Sequence, residues 1–188
     1  KEGMTAFFPQ AKGLPKYETL SGLDLHLVIG ALPRGTAAKD LIAGLHDRYK
    51  AGEDQVVRHL QSLGAVAAEA IEEVRSGAAS VQTWGRKAQA AQKCLRELGL
   101  STPEMDQVLA RGEEKGSLGG KLSGAGGGGA FFLLYGDGAG AQSGKNDLLT
   151  WAQLRGITWA SPPEAFRWDS DRSRLALGKT SFDALFKD

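Results

Sequence analysis

The sequence predicts an α+β fold, an antiparallel sheet covered on one face by helices. Two stretches read as strands: Leu23-Asp24-Leu25-His26-Leu27-Val28-Ile29, which alternates and then turns fully apolar, and the run Ala130 to Tyr135 past the middle of the chain. Between them, four stretches repeat apolar residues at the three-and-four spacing of amphipathic helices. Strands at both ends of the chain with a block of helices between them give the order of an α+β domain, not of alternating α/β units.

The elements follow in order. Gly30 to Gly35, with Pro33, reads as a turn after the first strand. Thr36 is placed to cap a helix whose inner face is Ala37, Leu41, Ile42 and Leu45, with Asp40 in the early turns. After Gly52, the stripe Val56, Leu60, Leu63, Ala67, Ile71 and Val74 predicts a long helix that stops at Ser76-Gly77. Val81, Trp84, Ala88, Ala91, Leu95 and Leu98 predict a third, ended by Gly99, whose alanines allow close helix packing. Ser101-Thr102-Pro103-Glu104 is a helix start of capping-box type, and Met105, Val108 and Leu109 face inward after it. Gly136 to Gly144 reads as a polar turn, Leu148 to Leu154 as a short helix, and Ile157 to Ala160 as another strand. The tail from Pro162, with Trp168, Leu175, Leu177, Phe182 and Phe186, follows no clear period.

A chain of 188 residues can bury one sizeable core. Its 41% hydrophobic and 24% charged residues are ordinary for a globular protein, and a net charge of +1 gives no ground for a nucleic-acid or membrane partner. A single cysteine, Cys94, excludes an internal disulfide and a cysteine-cluster metal site, which fits a cytoplasmic setting. The start, Lys1-Glu2-Gly3-Met4, is read as that of a piece of something longer.

The most informative segment is Gly119 to Gly129, reading Gly-Gly-Lys-Leu-Ser-Gly-Ala-Gly-Gly-Gly-Gly, which ends abruptly on the second strand. A flexible linker has no such apolar anchor. Glycines here permit positive φ or close backbone approach, and successive N–H groups in such a loop form an anion site, with Lys121 and Ser123 as further donors. Gly124-x-Gly126-x-x-Gly129 matches the dinucleotide fingerprint in letters only, because that motif follows a strand and opens a helix, the reverse of the order here. Gly144-Lys145 fails as a P-loop: Ala139 stands at the first glycine position and Asn146 follows the lysine.

Of the remaining polar residues, His26 reads as a half-buried strand residue, His46 and His59 as solvated, Cys94 as an inert thiol, and Glu69, Glu72 and Glu73 as a solvated helix face. Arg34 stands apart. Pro33-Arg34-Gly35-Thr36 puts a guanidinium between a strand and a helix N-terminus, where it serves as a turn residue or, with the helix N–H groups, as a site for phosphate or carboxylate.

Lys121-Leu122-Ser123-Gly124-Ala125-Gly126-Gly127-Gly128-Gly129 before an apolar strand resembles the third motif of the GHMP small-molecule kinases, and is particularly similar to that of the mevalonate kinases. Pro33-Arg34-Gly35-Thr36 with Leu41 to Arg48 resembles the Pro-Arg-x-Thr turn and helix of the same enzymes, and Leu95 to Ser101 the segment preceding their third motif. The resemblance covers Leu23 to Tyr135. It implies a ferredoxin-like C-terminal domain over residues 1–144, with 145–188 as a helix, strand and extension of the same domain. It implies transfer of the ATP γ-phosphoryl group, with Mg²⁺, to a small alcohol such as mevalonate, in isoprenoid biosynthesis. By that analogy Lys121, Ser123, Gly124, Ala125, Gly126 and Gly127 lie at the nucleotide phosphates, and Arg34 and Thr36 near the substrate. The family's first-domain nucleotide loop and its catalytic lysine and aspartate are absent from this sequence. No catalytic or metal-binding residue is therefore assigned, and the chain is expected to be inactive without its N-terminal kinase domain. A homodimer is a candidate assembly. Phosphomevalonate kinase, another GHMP kinase, and a stand-alone phosphometabolite-binding or docking module stay open as alternatives.

Overall fold

The computed structural model describes residues 4–8, 14, 16–20, 23–169 and 174–177. A hairpin of β1 (Met4–Phe8) and β2 (Lys16–Leu20) precedes a five-stranded antiparallel sheet in the order β4-β5-β3-β6-β7. Its members are β3 (Leu25–Leu32), β4 (Gly119–Leu122), β5 (Gly129–Tyr135), β6 (Ser161–Asp169) and β7 (Arg174–Leu177). The helices are α1 (Ala38–Lys50), α2 (Asp54–Arg75), α3 (Val81–Glu97), α4 (Pro103–Glu114) and α5 (Gly138–Leu154). Without the hairpin, α1, α2 and β7, the order β3-helices-β4-β5-α5-β6 is a split βαββαβ with its first strand in the middle of the sheet, the ferredoxin-like arrangement.

The pleat divides the core. Phe131, Leu133 and Tyr135 of β5 share a face with Val28 of β3 and pack under Met105, Val108 and Leu109 of α4 and Leu148 of α5. Leu134 points the other way and meets Leu25, Ala88 and Trp84 beside α3. Arg111 on α4 donates to both carboxylate oxygens of Asp147 on α5, at 2.7 and 2.8 Å, and locks the helix pair.

Several expected boundaries move. β3 runs on to Leu32, so the turn begins at Pro33. Ala37, not Thr36, is the N-cap of α1, and no side chain caps it. Leu41 and Leu45 are half-buried, whereas Ile42 is 59% exposed. On α2 only Val56 and Val74 are buried, and Ala67 lies exposed in the middle of the expected stripe. Thr102 caps α4 by accepting from the Met105 N–H at 3.2 Å, and Ser101 is used elsewhere. The stretch read as a turn at Gly136 to Gly144 is helical from Gly138, because Asp137 accepts from the Gly140 N–H at 2.7 Å and starts α5 there. Ile157 to Ala160 is a connection, and the strand comes after it: Ser161 to Trp168 pair with β3. The Pro162-Pro163 pair that obscured the strand period lies at its start. Phe182 and Phe186 lie outside the described residues.

Candidate functional site

The glycine segment is a loop between paired strands. The Ser123 N–H donates to the Ala130 carbonyl at 2.7 Å, closing its base, and the Leu122 N–H donates to the side-chain carbonyl of Gln92 at 2.9 Å. Gln92 is buried, and its amide nitrogen donates to Ser101 at 2.9 Å and Asp106 at 3.2 Å. Further along, the Gly127 N–H donates to the Leu100 carbonyl at 2.9 Å, and the Gly127 carbonyl accepts from the Gly35 N–H at 3.1 Å. The loop is thus stitched to the α3–α4 turn on one side and to the β3–α1 turn on the other.

These close approaches explain the glycines. Gly126 has φ +88°, and a Cβ there would lie 2.1 Å from the Leu100 oxygen. Gly128 has φ +98°, and a Cβ there would lie 2.1 Å from the Pro33 oxygen. Neither backbone contact can give way without moving a whole turn.

Ser123 and Gly124 lie on the exposed rim. The N–H groups of Gly124, Ala125 and Gly126 make no hydrogen bond among the described residues. Arg34 lies across the same loop: its guanidinium is 2.7 Å from a Cβ built at Gly129 and 3.4 Å from one at Gly124. It makes no hydrogen bond or ion pair among the described residues. Backbone donors and a planar cation of this kind have the chemistry to bind an anion with several oxygens. Thr36 flanks the loop, its carbonyl 3.4 Å from a Cβ at Gly127. Beside it opens a cleft of about 570 Å³, walled by Pro33 to Gly35, Gly127, the start of α4 at Thr102 and Glu104, and Arg155 to Thr158.

Seven of the eight residues singled out in the sequence therefore lie together: Arg34, Thr36, Ser123, Gly124, Ala125, Gly126 and Gly127. Lys121 does not join them. It sits on the far face of β4, its ammonium donating to the Leu122 carbonyl at 2.6 Å and lying 5.5 Å from the centre of the Phe132 ring. Burial there pushes its pKa down. In a strand, neighbouring side chains alternate faces, and Leu122 takes the face toward α4.

Three participants were missed in the sequence. Gln92 carried a signal, a polar residue on the buried stripe of α3 next to Ala91. The Leu100 carbonyl and Arg155 carried none. Arg155 lies 5.1 Å over the Trp151 ring. His26 is half-buried, and Cys94 is buried. The acids of α2 are not merely a solvated face, since Glu69 and Glu73 hold Lys87 at 2.8 and 3.2 Å. Among the described residues no three His, Cys, Asp or Glu side chains group so as to hold a metal ion, and no helix is long and apolar enough to cross a membrane.

The glycine loop is thus carried on the β4–β5 hairpin at one edge of a ferredoxin-like sheet. Residues 67–150 match the family model described as GHMP kinases C terminal. Over 122 residues it is 28% identical to a mevalonate kinase of Pyrococcus furiosus, a match covering 63% of this chain and 36% of that protein. The chain thus spans about a third of the length of the curated relatives it matches. Its fold is similar to that of the L. major mevalonate kinase solved in complex with R-mevalonate (TM-score 0.76, 17% identity, 90% of this chain and 50% of that one). It is also similar to the Streptococcus pneumoniae phosphomevalonate kinase solved with phosphomevalonate and AMPPNP (TM-score 0.60, 19% identity, 80% of this chain and 43% of that one).

Proposed function

We propose that this chain is the C-terminal domain of an ATP-dependent, mevalonate-kinase-like enzyme, which transfers the γ-phosphoryl group of ATP to the hydroxyl of a small alcohol such as mevalonate. The observation that carries this reading is the loop itself: N–H groups at Gly124, Ala125 and Gly126 beside the guanidinium of Arg34, all without a hydrogen-bond partner among the described residues. Phosphoryl transfer relies on positioning and charge stabilisation. In this reading the loop N–H groups and the Ser123 hydroxyl donate to phosphate oxygens, and Arg34 balances their charge. Thr36 borders the alcohol. Lys121, facing away, orders the base of the loop. Magnesium supplies further charge neutralisation when bound, and no residue of this chain is assigned to it.

Activity then requires an N-terminal domain to bring the remaining nucleotide loop and the groups that act on the hydroxyl. Residues 1–144 and 145–188 work as one unit, a reading supported by α5 running through position 144 and by β6 pairing with β3. The enzyme so read is cytoplasmic.

The test is the intact mass of the protein from its native source, together with an assay of that material for ATP-dependent phosphorylation of mevalonate and phosphomevalonate. A longer chain that phosphorylates mevalonate is expected. A chain of this length that binds a phosphorylated metabolite without turnover overturns the enzyme reading.

A further inference from the structure

On the sheet face away from α4 and α5, helices α2 and α3 do not close over the strands. They leave a groove of about 310 Å³. Leu63, Val66, Ala67 and Ala70 of α2 form one wall, Trp84, Ala88 and Ala91 of α3 the other, and Phe132 and Leu134 the floor. The alanines that promised close packing instead leave room, because their side chains are too short to meet across the gap. The walls are apolar apart from two lysines. Lys87 is already held by Glu69 and Glu73. Lys121 has three N–H donors and, among the described residues, uses one, on the Leu122 carbonyl.

The groove has a direction. Gly85 of α3 abuts Leu118 and Gly119, while Gln92 reaches Leu122. Trp84 therefore marks one end and Ala91, beside Lys121, the other. Seven residues of helix separate them, about 10 Å at 1.5 Å per residue. That is the length of an extended medium-chain hydrocarbon. The volume lies at the lower end of the range for small-molecule pockets.

We propose that this groove binds a free medium-chain monoanion such as octanoate, its hydrocarbon along Phe132 and Leu134 and its carboxylate accepting from Lys121. The charge complementarity is local. Lys121 is half-buried, its ammonium is under-coordinated, and a carboxylate at the groove end supplies the counter-charge and acceptors it lacks. Burial lowers the pKa of Lys121, and a carboxylate beside it would favour its charged form. This inference rests on the groove and is independent of the kinase reading, so either can fail alone.

The test is calorimetric titration of the 188-residue chain with octanoate, octanol and octyltrimethylammonium, each below its micelle concentration. Octanoate is expected to bind at least tenfold more tightly than octanol, and the cation not at all. Lys121→Met is expected to bring octanoate down to the level of octanol. Ala70→Leu, which fills the groove from the half-buried face of α2, is expected to abolish binding of both. Thermal melts check that each variant folds, and Lys121→Gln replaces the first if it does not. Equal binding of octanol and octanoate to the unaltered chain overturns the proposal, as does no binding of octanoate below millimolar concentration, or a preference for octanoate that survives loss of the lysine. Concentration-dependent sedimentation with the groove amides protected overturns it too, in favour of a second copy as occupant.

Discussion

The side-chain carbonyl of Gln92 accepts the backbone N–H of Leu122 at 2.9 Å, in the interior and thirty residues away in sequence. One amide on α3 thereby holds the last residue of β4 before the glycine loop, while its nitrogen reaches Ser101 and Asp106 at the start of α4. Ser101 closes the triangle by donating to Asp106 at 2.8 Å.

Gln92→Leu removes the acceptor and leaves a buried N–H at Leu122 unpaired. A loss of roughly 1–3 kcal/mol in unfolding free energy is expected. Gln92→Glu keeps the acceptor but sets a second carboxylate beside Asp106, so its deficit is expected to shrink as pH falls and one acid takes a proton. Denaturant titrations at pH 7 and pH 5 check both.

Gly126→Ala and Gly35→Ala make a contrasting pair. The first puts a methyl group 2.1 Å from the Leu100 oxygen at a positive φ, and the second meets nothing within 4 Å. Gly126→Ala is expected to cost more than about 2 kcal/mol, from strain plus displacement of the α3–α4 turn. Gly35→Ala is expected to stay within about 0.5 kcal/mol of the parent. Thermal melts of the two variants side by side are sufficient.

Tyr135 carries a buried hydroxyl, packed against Gly144, that has no hydrogen-bond partner among the described residues. Burial first, and then the charge of Asp147, push its pKa up to about 12 from the ordinary 10.0. The folded state therefore keeps a proton that the unfolded chain gives up. This contribution to stability is complete below pH 10 and is lost as pH rises from 10 to about 12. Tyr135→Phe is expected to be at least as stable as the parent at pH 7 and to lose less stability between pH 10 and pH 12. Urea unfolding across that window measures the difference.

Arg34 makes no hydrogen bond or ion pair among the described residues. Its replacement is therefore expected to leave stability within about 0.5 kcal/mol. In the enzyme proposed above, Arg34→Lys is expected to lower kcat/KM about tenfold or more, because a point charge does not reproduce the planar fork. Steady-state kinetics alongside a melting curve separate the two effects.

β3, β5 and the four central helices were legible because their apolar residues recur at strand or helix spacing, as from Leu25 to Ile29 and from Val81 to Leu98, whereas β4, β6 and β7 were not read as strands. The C-terminal part was less so. α5 begins Gly-Ala-Gly-Ala, residues that mark a turn by composition, and only the Asp137 cap and the packing of Ala141, Gly144 and Leu148 make it helical. Among the site residues, the loop and Arg34 could be read from a motif and a turn. Gln92 and Leu100 act through contacts between distant parts of the chain, and the facing of Lys121 depends on strand register, which no local spacing of glycines reveals.

The central position of β3 bears on the order in which the protein acquires its structure. Its partners, β5 and β6, lie about a hundred residues or more downstream, His26 opposite Tyr135 and Leu25 opposite Trp168. On a ribosome β3 emerges early and stays unpaired while the helices assemble from nearby contacts. The sheet closes only after residue 169 has been made. Capture of β3 by β5 and β6 is accordingly expected to be a slow step, and truncations between β5 and β6 are expected to leave one edge of β3 bare and aggregation-prone.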